Sequence, residues 1–172
     1  MAEALRIILY PDPRLKKANQ TVTAFDESLR ELAVVMFRLM REARGVGLAA
    51  PQVGKNIRLF VANPSGEAGD DHVYINPTLS DPDSEDEAEE GCLSLPDIHV
   101  KVYRNKRIRI RAQDLEGKEF EQIGIGFPAR VWQHEFDHLN GILLTDRMGP
   151  VAKMAHRKKL KELEDNYRNR KR

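Results

Sequence analysis

The chain has 172 residues, of which 41% are hydrophobic and 32% charged, so it fits one compact domain, residues 1–172, with its own core. No apolar run approaches the ~20 residues of a membrane-spanning helix, and the N-terminal residues resemble neither a secretory signal nor a transit peptide. We therefore expect a cytoplasmic protein without a membrane segment, and the formal net charge of +1 neither favours nor excludes a polyanionic partner.

The first predicted element is an amphipathic helix from about Asp26 to Arg44. Apolar residues recur there at the spacing of one helix face: Leu29, Leu32, Ala33, Met36, Met40 and Ala43. Asp26 is a suitable N-cap, and Gly45 is suited to end the last turn. The apolar stripe indicates a face buried in the core rather than a cofactor site.

Short strands are predicted next, over residues 57–62 and 73–76. Each is followed by an Asn or Pro residue that favours a turn. An acidic run comes after them, with seven Asp or Glu among residues 81–90.

A β-hairpin is predicted further along the chain. Residues 107–113 alternate between apolar and polar, which places Ile108 and Ile110 on one strand face and the arginines on the other. Residues 114–117 have the composition of a turn, and residues 118–125 form the returning strand. The arginines are more typical of the solvated face of a half-buried hairpin than of a nucleic-acid site.

Two more helices are predicted. One begins near Pro128, a good first residue for a helix, and ends at Asn140–Gly141. The other spans Pro150 to about Tyr167, within a basic C-terminal helical segment of about residues 150–172. Helices placed before and after a group of short antiparallel strands predict an α+β domain, with the helix at Pro128 at its centre.

The basic C-terminal segment carries most of the charge asymmetry. From Val151 to Arg172 there are nine Lys or Arg against three Asp or Glu, a local net charge of +6. Such a segment favours an anionic surface such as RNA, and a solvated helix end is an equally good interpretation.

The second predicted helix contains the motif His134-Glu135-Phe136-Asp137-His138. Because residues i and i+4 share a helix face, His134 and His138 could bind one metal ion. Glu135 lies about 100° further round the helix axis. There it could take a proton from a metal-bound water, whose pKa the metal lowers toward ~7. Two surface histidines on a helix are the alternative.

A catalytic metal of this type needs a third protein ligand and an open position. No residue downstream of the motif has a spacing typical of a protease third ligand. Upstream lies Cys92, the only cysteine, in a turn-like segment after the acidic run. A lone cysteine forms no internal disulfide, and Cys92 could be a core residue, a nucleophile or a metal ligand.

Three segments together resemble the peptide deformylase family. Residues 45–52 read GVGLAAPQ, residues 90–94 read EGCLS and residues 133–138 read QHEFDH, which are similar to the family's motifs in order and separation. Residues 11–15, PDPRL, also resemble the family's opening. The likeness therefore spans nearly the whole chain.

The resemblance implies a role for each matching residue of the catalytic centre. The expected metal ligands are Cys92, His134 and His138. Glu135 is expected to be the general base and then the general acid. The side chain of Gln52 and the backbone N–H of Leu93 are expected to hold the developing oxyanion, which is often the largest catalytic contribution.

The implied reaction removes the N-formyl group from the N-terminal methionine of newly made polypeptides and releases formate. The residues expected to bind substrate or orient the site are Val46, Gly47, Glu90, Gly91, Phe127, Arg130 and Val131, with Ala88 and His134 completing the methionine pocket. Arg130 stands where several relatives carry an aliphatic residue, and we expect its stem to pack while its charge faces water. His99 stands where an arginine is frequent, and the acidic run is expected to be a lineage-specific loop.

The family implies one divalent metal ion, natively Fe²⁺, with Zn²⁺ or Ni²⁺ able to replace it. Formyl-methionyl nascent peptides are the expected partners, and the basic C-terminal helix is a candidate contact to the ribosome. No membrane or DNA partner is expected. The alternatives are a zinc endopeptidase, a structural metal in an RNA-binding module, and a cysteine nucleophile paired with a histidine base.

Overall fold

The computed structural model describes residues 5–170, which form one five-stranded antiparallel sheet and four α-helices. Each strand pairs with the next along the chain: β1 (Gly47–Ala49), β2 (Leu59–Ala62), β3 (His72–Cys92), β4 (Leu95–Gln113) and β5 (Glu119–Ile125). The helices are α1 (Glu27–Glu42), α2 (Phe127–Leu139), α3 (Leu144–Arg147) and α4 (Pro150–Arg170), and short 3-10 turns cover Pro13–Lys16 and Ala50–Val53. The predicted α+β class is confirmed. Among the described residues no helix is both long and apolar enough to cross a membrane.

Helix α1 confirms the first predicted helix but ends differently. The Asp26 carboxylate accepts a hydrogen bond from the backbone N–H of Leu29, as expected of an N-cap. At the other end Arg44, with φ of 57°, takes the left-handed position that was predicted for Gly45. Gly45 is needed for space instead, since a Cβ there would lie 2.7 Å from the side chain of Leu93.

The long hairpin of β3 and β4 differs most from expectation. The acidic run predicted as a loop is part of β3, and its register against β4 is interrupted by irregularities near Ser80 and Gly91. The loop prediction is wrong because cross-strand partners outweigh the low strand propensity of Asp and Glu. Acidic residues of β3 face basic ones of β4, as in the pair of Glu89 and Lys101.

Helix α2 packs its apolar face on the sheet. Trp132 lies beside Tyr74 with ring centroids 5.7 Å apart, and both are buried. Gly124 of β5 allows this approach, because a Cβ there would lie 2.5 Å from the indole ring. The Gln133 amide accepts from the backbone N–H of Asn105 at 3.0 Å and donates to its carbonyl at 2.8 Å. These contacts hold α2 at a fixed position along β4.

Helix α4 packs against the N-terminal half of β4. Leu163 is its buried residue, and Leu160 and Ala152 pack on the same apolar cluster. Polar contacts join it to the rest of the chain, including Tyr10 to Glu164 at 3.0 Å and Lys159 to Asp97 at 3.4 Å. The last two residues of the predicted basic segment, 171 and 172, lie outside the described residues.

Candidate metal centre

The three expected metal ligands converge. Cys92 is the last residue of β3, and His134 and His138 lie one turn apart on α2. Their ligand atoms all lie within 4.8 Å of one another, and Sγ of Cys92 is 3.4 Å from Nε2 of His138. The strand end therefore delivers the thiol to the face of α2 that carries both imidazoles, and together they form a possible metal site.

The donor set fits a transition metal. Two imidazole nitrogens and a thiolate are typical ligands of zinc and iron, and they leave a position open for substrate or water. Burial and the positive charge of His134 hold the pKa of His138 well below its usual value, so its imidazole is neutral and able to coordinate. Burial lowers the pKa of His134, but the hydrogen bonds that its ring makes to Cys92 and Glu90 raise this pKa well above its usual value. A cation then competes with a proton there.

A buried carboxylate orients His134. Oε2 of Glu90 lies 3.0 Å from Nδ1 of His134, which leaves Nε2 of that ring directed toward the other ligands. Arg104 of β4 makes paired hydrogen bonds to Glu90 at 2.9 and 3.0 Å, and it also reaches Asp137 of α2 at 2.6 Å. Although burial raises the pKa of Glu90, hydrogen bonds from His134 and Arg104 hold it well below its usual value. Glu90 is therefore a permanent anion behind the histidine.

Glu135 is a second buried carboxylate with different surroundings. It is 4% exposed, and its Oε2 has no hydrogen-bond partner among the described residues. Burial, opposed by the charge of His134, raises its pKa to about 7. A Cβ on Gly47 would lie 2.5 Å from Oε1 of Glu135, so glycine is required for the carboxylate to occupy this place.

Gln52 contacts Cys92 as well, in addition to the contact that Cys92 makes with His138. Its Oε1 accepts from the backbone N–H of Ala49 at 2.9 Å, which determines the orientation of the amide. Its Nε2 donates to Oγ of Ser94 at 3.1 Å and faces Sγ of Cys92 at 3.6 Å. A side-chain N–H donor is thus held next to the cysteine.

A cavity of about 410 Å³ opens above these residues. All seven predicted substrate-binding residues line it, together with Gln52, Cys92, Leu93, His134 and Glu135. Ala88 is not among the lining residues and His138 lies behind the others, 1% exposed. The size is within the usual range of small-molecule sites.

Arg130 does not direct its charge to water, and that expectation is wrong. The residue is 8% exposed, and its guanidinium donates to Glu90, to the carbonyl of Val102 and to Asp86. The burial follows from the pairing of β3 and β4, which brings an acidic side chain and a carbonyl over the first turns of α2.

The sequence prediction assigned no role to several charged and polar residues of this site: Arg104, Asp137, Arg147 and Ser94. Arg147 donates to Asp137 at 2.5 and 2.6 Å, so the carboxylate lies between two guanidinium groups. Asp137 lies inside the recognised motif, on the helix face next to both histidines. That position could have pointed to Asp137, and Ser94 likewise lies inside the EGCLS motif. Arg104 had no such signal, because its partners are distant in the chain.

Known proteins are similar to this chain over most of its length. Residues 4–154 match the family model described as polypeptide deformylase. A peptide deformylase of Thermotoga petrophila is 46% identical over 160 residues, which are 92% of this chain and 95% of that protein. The chloroplastic/mitochondrial peptide deformylase 1B of Arabidopsis thaliana is 42% identical over 166 residues, and the match covers 95% of this chain and 61% of that longer protein.

Solved structures give the same result for the fold. A plant peptide deformylase crystal structure superposes with a TM-score of 0.93 at 39% identity, covering 99% of this chain and 94% of that one. A peptide deformylase from Legionella pneumophila superposes with a TM-score of 0.89 at 41% identity, covering 96% and 98%.

Proposed function

The chain belongs to the polypeptide deformylase family and is an enzyme of that class, and on this premise we propose that it removes the N-formyl group from the N-terminal methionine of newly made polypeptides, releasing formate. The observation that carries the proposal is the convergence of Cys92, His134 and His138, with Cys92, His134 and Glu135 lining one cavity and His138 directly behind them. The proposed setting is the cytoplasm.

Cys92, His134 and His138 would hold one divalent cation, natively Fe²⁺, with Zn²⁺ and Ni²⁺ as substitutes. When bound, the cation acts as a Lewis acid and lowers the pKa of water toward ~7. The thiol of Cys92 and ferrous iron are both sensitive to oxidation, so we propose that the active protein requires reducing conditions.

Glu135 moves the proton. Its carboxylate takes a proton from the attacking water and then donates it to the amine that leaves with the peptide. Without a metal, burial raises the pKa of this carboxyl to about 7, so it holds a proton more readily than an exposed carboxylate does. A dication bound beside it adds positive charge and lowers this pKa.

Gln52 and the backbone N–H of Leu93 stabilise the oxyanion that forms when the formyl carbonyl is attacked. The support is the position of the Gln52 amide, whose oxygen is held by Ala49 and whose N–H lies beside Cys92. Donors already oriented in this way lose little freedom as charge develops.

The cavity binds the formyl-methionyl end of the substrate. Val46, Gly47 and Gly91 line it with backbone that can pair with an extended peptide, and Phe127 and Val131 supply apolar surface for the methionine side chain. The stem of Arg130 lies on the same wall. Glu90 contributes indirectly, by holding the ring of His134 in its orientation.

The deciding experiment is formate release from a formyl-Met peptide by the whole chain. We expect activity with Fe²⁺ under anaerobic, reducing conditions, loss on chelation and recovery when metal is added back. The Cys92→Ala variant should lose both metal and activity. Absence of formate under these conditions would remove the proposal, and cleavage of internal peptide bonds by a Cys92→Ala protein would favour an endopeptidase.

A second partner is proposed for α4, namely the ribosome. Lys158 and Lys161 are exposed on this basic helix. Reversing both charges to Glu should weaken cosedimentation with ribosomes at fixed salt. The same reversal at Arg111 of β4 and Lys118 just before β5, which are both exposed, should not. Equal loss in both variants would mean a non-specific charge effect.

A further inference from the structure

Arg130 is a buried arginine on the helix that carries the metal ligands. Its side chain is 10% exposed. It donates through Nη1 to Oε1 of Glu90 and to the carbonyl of Val102, both at 2.9 Å. Through Nη2 it donates to the carbonyl of Asp86 at 3.0 Å and to the Asp86 carboxylate at 2.7 Å. Burying a charge is costly, and four hydrogen bonds on one guanidinium offset that cost.

The carboxylate of Glu90 contacts three side chains: Arg104, Arg130 and His134. Oε1 accepts from Arg104 and Arg130, whereas Oε2 accepts from Arg104 and lies against His134. Arg104 is itself held by its contact with Asp137 at 2.6 Å, but it leaves Oε1 of Glu90 able to accept a second donor. The guanidinium of Arg130 on Oε1 therefore adds a second fixed donor to the carboxylate, which keeps Oε2 directed at the imidazole of His134.

Asp86 attaches the outer end of Arg130 to the sheet. It lies in the acidic run of β3, and its side chain is 49% exposed. Val102 of β4 supplies the second backbone contact. Arg130 therefore connects α2 to both long strands. The register of these strands, which sets where Asp86 and Val102 lie, determines the position of the guanidinium.

We propose that Arg130 is a positioning residue for the metal centre: anchored by Asp86, it holds Glu90 and through Glu90 the ring of His134. The inference rests on the proposed function only in taking His134 as a metal ligand. The competing role is a wall of the methionine pocket, in which the stem of Arg130 matters and its charge does not. The two roles predict different consequences when the charge is removed.

The first test uses Arg130→Met, which keeps an unbranched stem and removes the guanidinium. Co²⁺ and Zn²⁺ affinity is measured on the whole chain by competition with a chelator, without any turnover. Loss of a group that orients a ligand typically weakens metal binding by about 10–100-fold. The ratio of kcat/KM for formyl-Met and formyl-Ala peptides at saturating metal is measured alongside, because it reports on the pocket wall that the stem of Arg130 forms. Unchanged metal affinity with altered preference between the peptides would overturn the proposal.

The second test changes an exposed residue, Asp86, instead of the buried Arg130. Asp86→Ala removes the anchor from an exposed site, and Glu85→Ala is the matched control, with an exposed carboxylate on the same strand. We expect several-fold weaker metal binding and an altered Co²⁺ absorption spectrum for Asp86→Ala alone. Equal behaviour of the two variants would contradict the proposal even if Arg130→Met does not fold. Failure of the wild type to release formate would remove the proposed function and leave the metal result standing.

Discussion

The two ends of the β3–β4 hairpin carry the same chemistry in opposite surroundings. Near the metal centre Arg104 faces Glu90 at 2.9 Å, with side chains 3% and 6% exposed. At the outer end Arg109 faces Asp81 at 2.6 Å, with side chains 36% and 54% exposed. The outer pair is the shorter one, yet solvent screens it and competes for its hydrogen bonds. Burial under α2, rather than distance, determines which pair the structure depends on.

The largest loss of stability is expected when one partner of the buried pair, Arg104, is removed. Arg104→Met leaves Glu90 and Asp137 buried without their shared guanidinium. Removing one partner of a buried ion pair costs about 3–5 kcal/mol, and we expect a loss of this size in the free energy of unfolding. Urea denaturation at neutral pH measures it, with Arg104→Lys as the variant that keeps the charge. A loss no larger than that of Arg109→Met would contradict the interpretation.

Glu135, the buried carboxylate whose Oε2 has no hydrogen-bond partner among the described residues, should make the stability of the protein depend on pH. The pKa of Glu135 is raised by burial from its usual 4.5 to about 7. As pH rises between these values, the unfolded chain ionises the group and the folded metal-free protein does not. Stability should therefore fall by on the order of 3 kcal/mol over this window. Glu135→Gln should flatten this decline in urea titrations of the metal-free protein, and an unchanged slope would count against the raised pKa.

Arg147 provides an intermediate case. Its side chain is 37% exposed, close to that of Arg109, but its partner Asp137 is only 11% exposed. Arg147→Met should therefore cost about 1–2 kcal/mol, because the buried carboxylate keeps Arg104 while losing two charge-assisted hydrogen bonds and some of the loss is screened by solvent. Thermal and urea unfolding measure the change. A cost equal to that of Arg104→Met would mean that partner burial alone sets the size of the effect.

The smallest effect is expected at the exposed end. Arg109→Met removes contacts to Asp81 and Glu121 that are open to solvent. We expect no measurable change in unfolding midpoint at physiological salt and unchanged metal affinity. A clear destabilisation that disappears in high salt would show that the outer charges act as a network.

Much of the site could be predicted because its signals are local. The spacing of His134 and His138 follows from the helix period, whereas Cys92 was expected as third ligand because the segments around it resemble the peptide deformylase family. Helix α1 and the β4–β5 hairpin were also predictable, since their apolar periodicity extends over many residues. The end of α1 was not, because Arg44 takes the left-handed position while Gly45 makes room for Leu93, a residue distant in the chain.

By itself the sequence determined the helix that presents the histidines and the general class of fold, and its resemblance to a known family implied Cys92 as the third ligand. Only the tertiary structure decided that the acidic run is a strand, that Arg104 and Arg130 meet at Glu90, and that Arg130 faces inward. The physical reason is that local patterns depend on backbone periodicity within a few residues. The partner and the burial of a charged side chain depend on strand register and on what covers it, and both are set across long separations in the chain.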